Sequence, residues 1–172
     1  ADCVADPVCV RMNDITPPDV TVNQQLIPVQ PDPTSVLPVK FDAVFSEAIN
    51  VGTFTTSDIT QTGTATGVVW NILDSGDHMN FTLSAISSGY GTIVPSIAAN
   101  RVTDLVGNGN TASTSTDNSV TLTFSTAINQ AVGQADPATS LPIRFTVVFS
   151  TPISVGSFTS SDTTQNGTAT GL

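Results

Sequence analysis

Basic side chains are what this chain has least of: one lysine, Lys40, three arginines and one histidine, His78, in 172 residues. Against them stand 14 acidic side chains, and the formal charge of −10 sets up a field that repels nucleic acid and anionic membrane surfaces. Nucleophilic catalysis of the Ser-His-Asp kind needs a histidine base, and the single candidate sits beside the turn Asp74-Ser-Gly-Asp77. The same two aspartates are the only pair that invites a glycosidase reading, yet aspartates flanking Ser-Gly are what a tight turn requires. We therefore expect no enzyme here. Long apolar runs are also missing: nothing approaches the roughly 18 residues that cross a bilayer, and no charged-then-apolar signal segment is present. Helical periodicity is absent over any ten-residue run, while Gly and Pro punctuate the chain throughout.

There are two cysteines, Cys3 and Cys9, close to the N-terminus. Their spacing fits a small disulfide-closed loop in an oxidising compartment, and no further Cys or His lies nearby to complete a metal site. The first residues, Ala-Asp-Cys, are compatible with a mature end left after signal removal. Serine and threonine supply 45 of the 172 residues, so solubility rests on hydroxyls, as suits an extracellular β-protein. A Ser/Thr-rich acidic chain invites a reading of disorder, but the 39% of hydrophobic residues fall in alternating runs that argue against it.

The most informative feature present is a repeat. Asp32–Gly67 returns without a gap as Asp136–Gly171, an offset of 104 residues, keeping both rings of FxxxF, the VGxF turn, the Ser-Asp pair and the closing GTATG. One complete unit is expected over residues 20–124, preceded by a leader at 1–19 and followed at 125–172 by the first half of a second unit. Half a unit cannot close its own core; the expected remedy is either further polypeptide beyond Leu172 or strands from another chain.

Within the unit, period-two alternation places Val39, Phe41, Ala43 and Phe45 on one face, with Ile143, Phe145, Val147 and Phe149 as their counterparts. All eight are expected in cores. The SDITQTG stretch reads as a loop, VVWNIL and HMNFTLSAI as strands joined at Asp74–Asp77, Thr92–Ile97 as one strand, and Ser119–Phe124 as the closing strand; Trp70 falls in the alternation and reads as core. Turns recur about every ten residues, the mark of an antiparallel two-sheet sandwich.

Taken in order, DPxxSxPxxFxVxFS, the GTATG turn and the close TDLVGNGNTAS resemble the bacterial Ig-like repeats of large secreted and cell-surface proteins, over about residues 20–172. The resemblance implies an all-β fold of tandem immunoglobulin-like antiparallel β-sandwiches, one complete and one partial, in a stalk, fibre, sheath or adhesin.

One loop has the chemistry of a metal site. Asp104, Asn108 and Asn110 in TDLVGNGN offer the oxygen ligands that calcium takes, and the resemblance adds Asp14, Asp19 or Asp117 at a domain junction. A Gly-Asn turn without any ion is the other reading of these residues. The function expected is an extracellular structural repeat that assembles with copies of itself, with Val8, Val10 and Met12 as candidate strand donors to a neighbour's unfinished core. The alternative is an adhesin module whose loops recognise a glycan or host protein. Neither nucleic acid nor membrane insertion is expected.

Overall fold

A computed structural model describes residues 14–154 and 156–168. Cys3, Cys9, Val8, Val10 and Met12 lie outside the described residues. Among those described, the secondary structure is all β apart from single 3-10 turns at Val51–Thr53, Thr56–Asp58 and Ser160–Asp162, and the strands pair antiparallel. No helix of the described residues is long and apolar enough to cross a membrane. The chain divides into two compact units, the second beginning at Phe124.

In the first unit, β1 (Val20–Gln24), β2 (Val39–Phe45), β5 (Asn80–Ile86) and β4 (Val69–Asp74) form a four-stranded sheet in the order β1-β2-β5-β4. Two-stranded ladders join β3 (Ile59–Gln61) to β7 (Pro95–Ile97) and β6 (Gly91–Ile93) to β8 (Val120–Leu122). Alternation does what the sequence implies: Val39, Phe41, Ala43 and Phe45 are all buried, opposite Ala85, Leu83 and Phe81 of β5. They share one core with Ile59, Ile93, Ile97, Val102, Val120 and Leu122. At its centre the rings of Phe45, Phe54 and Phe81 meet edge to face at 5.2 to 5.7 Å, a geometry that adds quadrupole attraction to the area each ring removes from water.

Three expectations need correction here. Ile59–Gln61, read as loop, is β3. Thr92–Ile97 is not one strand but two, β6 and β7, which change partners at Val94: its amide donates to Gln61 Oε1 at 2.7 Å, and Pro95, lacking an N–H, opens β7. Side-chain alternation continues across the switch, with Ile93, Pro95 and Ile97 all buried, so the pattern cannot reveal that the ladder partner changes. Trp70, read as core, is only half-buried, because β4 is the sheet's edge; its ring lies 6.0 Å from Phe41. The other edge, β1, is covered by residues 114–117, with Val22 N donating to Thr114 O at 2.9 Å and Gln24 N to Asp117 O at 2.6 Å.

The second unit repeats the opening of the first in detail. Its β9 (Thr126–Gln130) and β10 (Phe145–Phe149) pair Thr126 with Phe149 and Gln130 with Phe145, as β1 and β2 pair Val20 with Phe45 and Gln24 with Phe41. The Gln30 side chain accepts from Lys40 N at 2.8 Å; Gln134 accepts from Arg144 N at 2.6 Å. Thr55 and Asp58 close a reciprocal cap around one 3-10 turn, and Thr159 with Asp162 closes its counterpart. The core expected around Ile143, Phe145, Val147 and Phe149 is the fourth correction: Ile143 and Phe145 are exposed, and Val147 and Phe149 are only partly covered, because among the described residues the second unit has no counterparts of β5 or of the ladders that close the first unit's core.

Candidate functional site

The Gly-Asn loop is built around two buried side chains that serve different ends. Asn110, 2% exposed, accepts from Arg101 N at 2.9 Å and Val102 N at 2.8 Å through Oδ1, and donates through Nδ2 to Ala98 O at 3.0 Å and Thr111 O at 2.6 Å. Its amide is spent entirely on backbone. Asp104, also 2% exposed, accepts from Val106 N, Gly107 N and Asn108 N at 2.6 to 2.9 Å through Oδ1, and from Asn108 Nδ2 at 2.7 Å through Oδ2. At Gly109 an added Cβ would fall 2.5 Å from Asn100 Oδ1 and force that side chain to move, and Gly107 adopts a left-handed φ of +103°.

This loop is brought to the end of β2. Ile49 bridges Asp104, Asn50 N donates to Thr103 O at 2.8 Å, and Asn108 Nδ2 reaches the Asp14 carbonyl at 3.1 Å. The result is a group of carboxylates, Asp14, Glu47 and Asp104, each with an oxygen within 4.8 Å of the others. Of the sequence candidates, Asp104 and Asn108 meet there, Asp14 joins them, and Asn110 is engaged elsewhere. Asp19 and Asp117 are not in the group; Asp19 accepts from Thr111 Oγ1 at 2.6 Å. Glu47 went unnoticed in the sequence, although it is the chain's one glutamate and stands where the second copy has Thr151.

The electrostatics follow from this crowding. Desolvation, then the nearby charges of Asp14 and Asp104, then a hydrogen bond with the Asp14 carboxyl, raise the Glu47 pKa above its ordinary 4.5. For Asp104, desolvation is the largest single influence and pushes upward, but the hydrogen bonds from Asn108, Val106 and Gly107 together outweigh it and hold the carboxyl below 3.8. Three carboxylates this close can share a proton or give oxygens to a hard cation such as calcium. Asp104 would have to do so while its two oxygens already accept four hydrogen bonds.

The Asp74–His78 hairpin spends its polar groups on itself. Asp74 accepts from Gly76 N at 2.8 Å and His78 N at 3.2 Å and lies 2.6 Å from His78 Nδ1, while Asp77 accepts from Ser75 Oγ, Met79 N, Asn80 N and Asn80 Nδ2. Those bonds, led by the Asn80 amide, hold Asp77 well below the usual carboxylate range. His78 takes a left-handed φ of 59°, as the turn's closing residue.

The chain matches no family model, no curated protein and no solved structure. The Ig-like resemblance therefore rests on the motifs that carry it.

Proposed function

We propose that this chain is a structural module of an extracellular stalk, fibre or filament, built from tandem immunoglobulin-like β-sandwiches and assembled with copies of itself by strand complementation. The observation that carries the reading is the return of an entire local design, hairpin register, glutamine clasp and Thr-x-x-Asp cap, at a spacing of one sandwich-sized unit. A sandwich accounts for the first unit's economy: one four-stranded sheet and two short ladders contribute inward side chains to a single core. A surface of hydroxyls with few ammonium groups suits the extracellular setting. Electron microscopy of the native material tests the role, since a scaffold gives continuous fibres with a rise near one unit's length. Deleting residues 1–16 should abolish assembly if the leader, with Val8, Val10 and Met12, donates the strand.

A specific observation favours the adhesin alternative. The loop between β1 and β2 exposes Leu26, Ile27, Val29 and Val36, and the second copy shortens it and replaces Val36 by Ser140. A loop that varies between copies and offers apolar area is what a recognition module would carry. Binding of a glycan or host protein by the first unit, lost when Ile27 and Val29 become serine, would establish that reading over the scaffold.

A further inference from the structure

The four-stranded sheet of the first unit has one edge covered and one open. Residues 114–117 cover β1, but β4, at the other end of the strand order, has a ladder to β5 alone. Ser75 N donates to Asn80 O at 2.9 Å, and the register continues from there without a bulge through Leu73–Thr82, Asn71–Ser84 and Val69–Ile86. Antiparallel alternation therefore turns the N–H and C=O groups of Trp70, Ile72 and Asp74 away from β5. Among the described residues no backbone bond reaches them.

Nothing in the strand itself blunts this edge. Natural edges are protected by Lys, Pro or a bulge, and Val69–Asp74 has none of these. Its one charged side chain, Asp74, is turned back into the hairpin, where it accepts from Gly76 N and His78 N. Polarity also runs the wrong way for an edge left in water. On the sheet's outer face the covered β1 carries Thr21 and Asn23, whereas the open β4 carries Val69, 59% exposed, and Leu73, 64% exposed, with Ile86 beside Val69.

The order of side chains along β4 names what fits there. In an antiparallel pair of β4 strands related by a two-fold axis at Asn71, Trp70 falls opposite the partner's Ile72 and Val69 opposite the partner's Leu73. Apolar meets apolar on both faces, the Asn71 amides meet on the axis, and Asp74 lies opposite the partner's Val68, so no carboxylate faces another. Trp70 and Ile72, whose backbone groups point outward, become the hydrogen-bonded pairs. Moving the axis to Ile72 sets Trp70 against the partner's Asp74, and moving it to Trp70 sets Val69 against the partner's Asn71; neither matches. We propose that the β4 edge is a self-association site whose occupant is β4 of a second chain, paired about Asn71 so that the two sheets run on as one. Main-chain bonds supply the affinity and the alternating side chains the register. The contact is small and works against a formal charge of −10, so the dimer is weak and tightens as salt screens that charge. Strand donation by the leader is a different contact, and either can fail alone.

The test is sedimentation equilibrium of the full 172-residue chain from micromolar to millimolar concentration, with amide exchange at both ends of that range. A reversible monomer–dimer equilibrium is expected, with slowed exchange at Trp70 and Ile72 and a blue shift of Trp70 emission as the dimer forms. Asn71→Lys and Asn71→Asp should each weaken self-association at least tenfold by setting like charges on the axis, and an equal mixture of the two should recover it as a heterodimer. Asn71 is exposed on the outer face, so both variants should keep the parent's unfolding midpoint. Leu105→Lys, in an exposed loop of the same unit, should leave dimerisation unchanged. A chain that stays monomeric at millimolar concentration overturns the proposal. So does a dimer whose slowed exchange lies elsewhere, in the loop between β1 and β2 or along β10, or a mixture that associates no better than either variant alone. Fibres in the native material together with a monomeric chain would remove this contact and leave the scaffold reading standing.

Discussion

Phe41 is 0% exposed and Phe145 is 64% exposed, although they occupy the same position of the same hairpin with the same cross-strand glutamine opposite. The pair separates two kinds of structural information. Hairpin register, the glutamine clasp and the capped 3-10 turn depend on bonds between segments that follow one another directly along the chain, and both units have them. Burial depends on strands that arrive later in the chain, and among the described residues only the first unit has those. The hairpin is thus a local design that precedes its core.

The largest test of this comparison is paired truncation of the rings. Phe41→Ala should cost the first unit about 3–5 kcal/mol, the range for deleting a buried aromatic, whereas Phe145→Ala should cost under about 1 kcal/mol. Urea unfolding followed by Trp70 measures the first, and amide exchange in β10 the second; equal costs would break the comparison. Next in size, Asn110→Ala should destabilise the first unit by about 2–3 kcal/mol, because it leaves backbone groups of the loop without partners. The same urea curves detect it, and the second unit's exchange should not respond.

Smaller and pH-dependent is Glu47→Gln. A carboxyl whose folded pKa is raised above 4.5 carries a penalty that appears as pH rises from there through the folded value and stays constant above it. The variant should therefore be somewhat more stable than the parent at pH 7 and indistinguishable from it near pH 4, in the absence of divalent ions. If calcium occupies the carboxylates, millimolar calcium should stabilise the parent and not the variant, reversing the order at pH 7. Least in size is the cap at Asp162, whose carboxyl is held below 3.8 chiefly by the Thr159 amide. Its contribution is present above that value and disappears as pH falls through the lowered one. Thr159 amide exchange should quicken only in that acid window, and Asp162→Asn should quicken it at neutral pH.

Much of the fold could be read in advance because alternation is a local signal. Val39, Phe41, Ala43 and Phe45 announce a buried face without reference to anything else, and Asp74-Ser-Gly-Asp77 announces a turn. The breaks came where a partner decides. Thr92–Ile97 alternates correctly from end to end yet divides between two ladders, and Trp70 alternates like a core residue on a strand that proves to be an edge. At the carboxylate group, Asp104 and Asn108 were visible as a Gly-rich oxygen cluster, but Asn110, chemically alike, turned to the backbone. Glu47 lies 57 positions from Asp104 in the sequence, and the bridge at Ile49 with the bond from Asn50 N to Thr103 O brings their segments together.

By itself, the sequence determined an all-β chain, a repeat of 104 residues, the inward face of each principal strand and the sites of its turns, since these follow from side-chain period and from residues that bend the backbone without strain. Only the tertiary structure decided which strands share a ladder, which edge is covered, that Asp14, Glu47 and Asp104 crowd together, and that Phe145 lies open where Phe41 is closed. Hydrogen-bond partners and burial are set by segments far apart along the chain, and a local pattern carries no record of what will be laid against it.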